Sequence, residues 1–421
     1  MRSKVEFWFN RLGEKLWVRP LLFCLLAVVA AVAAAGADNL GISDISPKVE
    51  RDTIQMLLSI IAASMLGVAT FAVASMVSAY ASVSSNATPR AFLLVVSDDV
   101  SKTALSTFIG AFIFSVIALI AIKTGLYERT GLFVLFVMTI GVIGWVVFTF
   151  VRWVDQIARL GRLGTTISRV EKAAEDAIKR RRASPNLGAS PVDPHEDPGQ
   201  PIFADHIGYV QHLNVQALQS CAENHALILT VVALPGIFAA PGRPLAHIKR
   251  DTGGILRDFD VSLVKNAFLI GHDRTYDDDP RFGLIALSEI AARALSPAVN
   301  DPGTAIGIIG TFVRLFALWV SPVGNDEGNA SHVRFDRVRI PPLTLDEMFD
   351  DAFTAISRDG AGTIEVVVRL QKAFISLASI GHVELKEAAA RHSRLALERA
   401  VSSLTLSDDI ERARTLADQI R

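Results

Sequence analysis

The densest group of side chains able to do chemistry lies in GHDRTYDDDPRFG, residues 271–283. Carboxylates at this density could hold a hard cation, but the alternating acids, central glycine and closing glutamate of a calcium loop are absent. Asp279 precedes Pro280, an order that favours a helix cap with proline at the first helical position. The cap is the preferred interpretation. Arg274 and Asp279 remain candidates for binding an ion or a phosphate-type ligand, with Asp277 and Asp279 as candidate metal ligands.

A second polar corner, SPAVNDP at residues 296–302, repeats this order of residues. Asp301 precedes Pro302, which again predicts a cap followed by the first helical residue. The cap does not account for Asn300. Together with the free N–H groups of the helix start, Asn300 forms a candidate anion site, although the charge of Asp301 would repel an anion. Asn300 and Asp301 are therefore the second pair of candidate ligand-binding residues.

The two polar loops are expected at opposite ends of one helix, residues 280–295. A helix of that length spans about 24 Å, so the two loops of one chain cannot converge on one small ligand. Two copies of the chain could bring a loop from each together. A homo-oligomer is therefore one of the open alternatives.

The composition argues against several classes of protein. The 421 residues carry 42 basic and 43 acidic side chains, a formal net charge of −1, which disfavours a nucleic-acid-binding protein. Two cysteines cannot build a disulfide framework or a multi-cysteine metal site. The chain has no phosphate-binding P-loop, no nucleophile elbow and no histidine pair with metal-ligand spacing. We therefore expect no cofactor.

Four apolar runs occur near the start of the chain, each near the length of about 20 residues that crosses the hydrocarbon core. They cover residues 18–36, 56–81, 104–122 and 131–151. Basic side chains dominate before the first run and after the fourth, and acidic ones dominate in the loop between the first two. The positive-inside rule then places both ends of the chain in the cytoplasm. The sequence predicts a multi-pass membrane protein whose first partner is the lipid bilayer.

The fold class expected is a four-helix transmembrane region followed by a cytoplasmic α+β domain with a helical C-terminal part. The boundaries are 1–152 for the membrane region, 153–201 for a juxtamembrane amphipathic helix and proline-rich linker, 202–341 for the α+β domain and 342–421 for the helical region. Strands are predicted at HIGYVQHL, HALILTVVAL, FAAPGRPLAHI and HVRFDRVRI. Apolar helices are predicted at 280–295 and 302–320.

The juxtamembrane helix ends in a run of basic residues, Lys179, Arg180, Arg181 and Arg182. Such a run is attracted to anionic headgroups at about 1 kcal/mol per basic residue near the surface. A solvated helix end explains the same residues equally well. Contact with the membrane surface and simple solvation are both open interpretations.

Residues 303–320 are almost apolar enough for a fifth span. Arg314 lies well inside this stretch, and a charge at that depth costs about 2.5–3.5 kcal/mol on insertion scales. A helix buried in the cytoplasmic domain is therefore preferred, with a fifth span as the alternative.

Four segments, together with the four apolar runs, resemble a bacterial family of predicted membrane proteins whose shared domain has no assigned function. The segments are GYVQ at Gly208–Gln211, PGxFxxxGxPLA at Pro235–Ala246, GxDRTxxxDPRFG at Gly271–Gly283 and EIAxRALSPAxNDP at Glu289–Pro302. The resemblance covers nearly the whole chain. Asp278 and Gly303 depart from it, since it implies glutamine and a bulky aromatic residue at these positions. It implies a location in the bacterial inner membrane and no particular activity.

The preferred interpretation is a non-enzymatic inner-membrane protein, a sensor, regulator or pore, whose cytoplasmic domain binds a ligand or partner. The alternatives are a membrane-tethered metal-dependent enzyme and a structural scaffold. All three require the same architecture, so they differ in what the two polar loops do.

Overall fold

The computed structural model describes residues 18–36, 47, 49–86, 88–96, 99–159, 162–251, 259–322 and 333–420. The chain divides into two compact units, Met1–Thr166 and Ile167–Arg421. The orientation predicted above rests partly on charged side chains before Val18 and in the loop after Gly36. Those before Val18 and those at residues 37–46 and 48 lie outside the described residues.

The first unit consists of helices rich in apolar residues. They are α1 (Val18–Gly36), α2 (Arg51–Asn86), α3 (Pro89–Val96), α4 (Asp99–Lys123) and α5 (Arg129–Arg159). Within the described residues, α2, α4 and α5 are long and apolar enough to cross a membrane, and α1 has a shorter apolar stretch. The predicted runs therefore fall on four apolar helices near the N-terminus, as expected of a membrane protein.

Helix α4 supplies much of the buried surface of this unit. Its Phe114 packs in one cluster with Leu58 and Leu135, and its Phe108 packs in a second cluster with Trp153. Gly110 allows α1 to approach closely, because a Cβ there would lie 3.1 Å from the Cβ of Phe23. Small residues that bring helix backbones together are typical of packing in membranes, where dispersion contacts replace the hydrophobic effect.

Helix α6 (Leu163–Ala183) has its residues 163–166 in the first unit and the rest in the second. The second unit continues as a mixture of short strands and helices. The strands are β1 (Ala189–Pro191), β2 (Gln200–Phe203), β3 (Gly208–Leu213), β4 (Leu227–Val231), β5 (Phe238–Ala239), β6 (Pro244–Arg250), β7 (Phe268–Gly271) and β8 (Phe335–Ile340), with α7 (Val215–His225) and α8 (Ser262–Lys265) between them. A five-stranded sheet has the order β1-β8-β4-β6-β2, and a three-stranded sheet has the order β5-β3-β7.

The strand β8 lies between β1 and β4 and is parallel to both, whereas the β4–β6 and β6–β2 pairs are antiparallel. Residues from both sheets and from α7 close one core, in which Val210, Leu218, Leu229 and Val338 are fully buried. Asn214 caps α7, as its side chain accepts a hydrogen bond from the N–H of Ala217 at 3.0 Å. The α+β region that follows the apolar helices is therefore confirmed.

Two segments differ from the prediction. The expected linker contains β1 and the start of β2, because a strand can form in a proline-rich stretch when it lies at a sheet edge and needs few donors. The segment FAAPGRPLAHI forms two strands in different sheets instead of one. Gly242 has φ of 78° and the N–H of Arg243 bonds to the carbonyl of Ala240, so the chain turns between β5 and β6.

The remaining helices are α9 (Pro280–Ala294), α10 (Pro302–Val320), α11 (Leu345–Asp359), α12 (Ile364–Ala378), α13 (Val383–Ser403) and α14 (Ser407–Ala417). Helix α10 also has the length and composition of a span. One face of it packs in the second unit, where the ring of Phe316 lies 4.3 Å from that of Phe349 and 5.7 Å from that of Phe353. This packing favours the buried-helix interpretation of residues 303–320 over a fifth span.

Candidate functional site

The acidic loop at residues 272–279 connects β7 to α9 and begins the candidate site. Asp279 has extended backbone angles, and its Oδ1 accepts a hydrogen bond from the N–H of Arg281 at 3.1 Å. Pro280 occupies the first turn. The predicted cap at the start of α9 is therefore present.

Asp279 also forms a buried ion pair with Arg274 within the same loop. The Nε and Nη2 atoms of Arg274 lie 2.7 Å and 2.6 Å from Oδ2 of Asp279, whose side chain is 3% exposed. Burial raises the pKa of Asp279, and the charge of Arg274 opposes that rise. The guanidinium of Arg274 also lies 5.4 Å from the centre of the Phe282 ring. Two of the four candidate ligand-binding residues therefore bind each other.

Gly236, in the loop between β4 and β5, lies directly against this ion pair. Its φ is 94°, and a Cβ placed on it would lie 2.3 Å from Oδ2 of Asp279 and 2.8 Å from Nη2 of Arg274. Both observations require glycine, since a side chain would be strained by the backbone angle and would collide with the carboxylate. The loop between β4 and β5 thus packs directly on the charged pair.

Helix α6 holds the acidic loop through two arginines of its last turn. Arg180 donates to the carbonyl of Asp277 from Nε at 3.0 Å and from Nη2 at 2.6 Å. Arg181 donates from Nη2 to the carbonyl of Asp278 at 3.3 Å, and its side chain is only 6% exposed. Burial lowers the pKa of Arg181, and the charges of Asp278 and Asp279 oppose the decrease.

The other two basic residues of this run have different acceptors. Arg182 donates to the carbonyl of Ser321, and Lys179 pairs with Glu175 one helical turn earlier. Three arginines predicted at the membrane surface therefore have acceptors inside the second unit. Contact of Lys179, Arg180, Arg181 and Arg182 with headgroups stays a prediction.

Strand β3 binds the same loop from a third direction. His212 Nδ1 lies 2.5 Å from Oδ2 of Asp278, and Gln211 donates to the carbonyl of Asp273 at 2.7 Å. The hydrogen bond with Asp278 raises the pKa of His212, partly offset by burial of the ring. We call residues 272–279 together with Arg180, Arg181 and His212 the loop junction.

Helix α11 extends the network beyond the loop junction. Arg281 Nε lies 2.5 Å from Oδ2 of Asp351, its Nη2 lies 3.2 Å from Oδ1, and its Nη1 lies 3.0 Å from Glu347. Burial raises the pKa of Asp351, and the Arg281 guanidinium opposes this. The first turn of α9 is thereby joined to α11 by a two-point arginine–carboxylate contact, a geometry with strong directional preference.

The second polar corner is a tight turn with its own internal bonds. Asp301 caps α10 by accepting from the N–H of Thr304 at 3.1 Å and from its hydroxyl at 2.5 Å. Asn300 has φ of 50°, a left-handed conformation that asparagine tolerates better than most residues. The local backbone therefore accounts for Asn300 as well as for Asp301.

The two corners lie at opposite ends of α9, which has 15 residues and so a length of about 22 Å. Arg274, Asp277 and Asp279 are thus together in one place, and Asn300 and Asp301 are together in another.

No group of three His, Cys, Asp or Glu side chains suited to a metal ion occurs in the described part of the chain. The oxygens of Asp279 are already bonded to Arg274 and to the helix start. A metal at Asp277 and Asp279 stays a prediction.

Sequence reasoning missed most partners of the loop. Gly236, His212 and Asp351, the partner of Arg281, were not candidates, because each lies far along the chain from residues 272–279 and no local pattern pairs it with the loop. One local signal existed. The Pro-Gly pair at residues 235–236 predicts a turn with positive φ. The sequence gives no sign that this turn lies beside Asp279.

The comparisons with known proteins agree with this architecture. A part of the chain is 35% identical over 123 residues to uncharacterised proteins of Mycobacterium bovis and Mycobacterium tuberculosis. The matched part is 28% of this chain and 23% of each relative, so the chain spans about a quarter of the relatives' length in these matches. No solved structure is significantly similar to the chain.

The family model described as "Predicted membrane protein (DUF2254)" matches residues 13–376. This match includes the four apolar helices, both sheets, the loop junction and the second polar corner. It confirms the resemblance found in the sequence motifs. The chain belongs to this family of predicted membrane proteins.

Proposed function

We propose that the protein is a non-enzymatic regulatory protein of the bacterial inner membrane. Its second unit binds a ligand or a partner protein, and α6 passes the resulting change to the apolar helices. Both ends of the chain lie in the cytoplasm in this proposal, as the distribution of basic residues around the apolar runs indicates.

The observation that carries the proposal is the contact between α6 and the acidic loop. Arg181 is 6% exposed and bonds to the carbonyl of Asp278, at the end of a helix that starts at Leu163. Helix α5 ends at Arg159, so only a short segment separates the loop-bound helix from the last apolar helix. A change in the loop that moves α6 therefore acts on α5 through the chain itself.

The pairing of the charged side chains supports a regulatory role over catalysis. Catalytic acids and bases need a free position beside the reacting group. Here Arg274 and Asp279 bind each other, and Arg281 binds Asp351. Such pairs hold elements in one arrangement, and they are costly to break singly because the remaining charge stays buried.

The proposal is tested by removing the α6 contact in the full-length protein in lipid nanodiscs. In Arg181→Met, we expect hydrogen exchange to become faster in residues 272–279 and also in α4 and α5. The matched control is Lys172→Met, since Lys172 is on the same helix, is 68% exposed and pairs with the exposed Asp176 one turn away. The readout is exchange monitored by mass spectrometry.

The control should leave both regions unchanged, because an exposed pair of this kind contributes little. Faster exchange confined to residues 167–421 in Arg181→Met would refute transmission to the apolar helices. In that case the junction would serve only the stability of the second unit.

A further inference from the structure

His212 differs from the other partners of the acidic loop because its charge changes near neutral pH. An unperturbed histidine has a pKa of about 6.5, whereas arginine stays charged under all ordinary conditions. The ring is 43% exposed and the carboxylate of Asp278 is 32% exposed, so both exchange protons with solvent. The loop junction therefore contains a titrating cation beside permanently charged ones.

The groups facing His212 come from two elements. The acidic loop contributes Asp278 in direct contact and Asp277 nearby, and α6 contributes Arg181 at the carbonyl of Asp278. The neighbouring strands β5 and β7 contribute only uncharged residues. His272 lies in the same loop but is exposed.

Asp278 is thus contacted on two sides. Its side chain is bound by His212 of β3, and its carbonyl is bound by Arg181 of α6. The carboxylate fixes the peptide that presents this carbonyl, so the histidine and the arginine act on one residue. Loss of the ion pair with His212 therefore removes one of the two contacts that position this residue.

We propose that His212 and Asp278 form a proton-controlled clasp on α6. With the ring protonated, the pair holds residues 276–279 in place and α6 stays bound to the loop. When the ring loses its proton to solvent, the ion pair is lost and the contact of Arg181 with the loop loosens, while Arg180 stays bound to the carbonyl of Asp277. This inference rests on the proposed function, since it names the signal that sets the state of α6.

The direction of the effect follows from the contact with Asp278. That hydrogen bond raises the pKa of His212 above its ordinary value, although burial opposes it. The clasp is therefore fully formed below pH ~6.5 and is lost as the pH rises through the raised value. An acidic cytoplasm favours the tightly bound state, and an alkaline one favours the loosened contact.

The test compares wild-type protein with His212→Gln in nanodiscs, with hydrogen exchange measured between pH ~5.5 and ~9. Comparison at each pH removes the intrinsic pH dependence of exchange. We expect α6 in the wild type to be protected about fivefold relative to the variant at low pH, the effect of one half-exposed ion pair, and equally exposed at high pH. His272→Gln is the matched control and should behave as wild type.

If hydrogen exchange in α6 depends on pH in the same way in wild type and in His212→Gln, the clasp is refuted. If His212→Gln fails to fold, Asp278→Asn removes the same ion pair from the other side and decides the question in the same way.

The same data separate the clasp from the proposed function. Faster exchange at the end of α6 with rising pH, without a change in α4 and α5, supports the clasp and refutes transmission. An unresponsive α6, combined with altered apolar helices in Arg181→Met, refutes the clasp and leaves transmission standing.

Discussion

Two features of Gly236 disfavour any larger residue at this position: its backbone angle and its close contact with Asp279. The φ of 94° favours glycine, and the space beside Cα is filled by the carboxylate of Asp279. The backbone alone costs an L-residue about 1–2 kcal/mol in the left-handed region. The contact adds a further cost, because Asp279 is held by Arg274 and by the start of α9 and cannot move away freely.

We predict that Gly236→Ala lowers the free energy of unfolding by more than about 2 kcal/mol, measured by thermal or chemical denaturation in detergent. The matched control is Gly242→Ala, since Gly242 also has positive φ, at 78°, but has nothing within 4 Å of the added Cβ. It should show only the cost of the backbone angle. Equal losses in the two variants would mean that Asp279 yields to the new methyl group.

The residue types of the candidate site were predictable where the cause is local. Asp279 and Asp301 were expected as caps because a cap depends on residues one to three positions away. Arg274 and Asp279, which form an ion pair, are also close together in the sequence. The contacts of His212 and Arg181 were not predictable, since each joins residues from separate elements whose packing no local pattern specifies.

At the scale of the elements, helix α13 contains a buried histidine, and the folded protein favours its uncharged form. His392 is 1% exposed and lies against the rings of Phe349, Phe353 and Phe374. Burial, together with the charge of Arg391, lowers the pKa of His392 to about 4. The carboxylate of Asp350, whose Oδ1 lies 3.1 Å from Nε2 of His392, opposes this decrease, and the packed α13 favours the uncharged ring.

We predict that the second unit loses stability as the pH falls from ~6.5 to about 4, on the order of 3 kcal/mol in total. The sign follows from the lowered pKa, because the unfolded chain binds the proton in this range and the folded chain does not. The measurement is chemical denaturation at several pH values. His392→Leu should flatten this dependence.

The exposed His382 at the start of the same helix supplies the control, and His382→Leu should keep the wild-type pH dependence. If His392→Leu and wild type lose stability in parallel on acidification, the acid sensitivity originates elsewhere in the unit.

Elements were predictable to different degrees. The bounds of α9 and α10 agree closely with the segments predicted from apolar periodicity and caps. Helices α11 to α14 lie in the tail that was expected to be helical, but their individual bounds were not predicted. The split of FAAPGRPLAHI between two sheets did not follow. Both β5 and β6 satisfy the strand pattern, and the partner of each strand depends on contacts with distant segments.

On the scale of the whole molecule, the second unit contains all residues of the loop junction and has its own buried cores. Within the described part of this unit, α10 has the composition of a span. It buries Phe312 and Phe316 against α11 and exposes Arg314, which pairs with Glu171 of α6 at 2.7 Å. A helix inserted in a bilayer would have to break that pair.

We predict that residues 163–421 expressed alone remain soluble without detergent and unfold in one cooperative transition. The matched control is residues 129–421, which add the apolar helix α5 and should require detergent. The measurements are sedimentation after high-speed centrifugation and thermal melting. A fragment 163–421 that sediments with membranes and dissolves only in detergent would favour the fifth span.

The four apolar helices could be predicted from the sequence, because a helix that crosses the hydrocarbon core of a bilayer needs a long apolar run. The division between the compact units, between Thr166 and Ile167, could not. It lies inside α6, within the predicted juxtamembrane segment 153–201, and the end of the membrane region near residue 152 stays a prediction. Helix periodicity continues through this point, so composition gives no signal of where one unit ends.

The position of β8 affects how the chain folds during synthesis. This strand separates β1 from β4 in the five-stranded sheet, yet it follows both by more than a hundred residues. Until the ribosome has released residue 340, β1 has no neighbour and one edge of β4 stays open. Unpaired edges are sites of aggregation. The nascent chain therefore passes through a period in which its apolar helices have been made but its main sheet is incomplete.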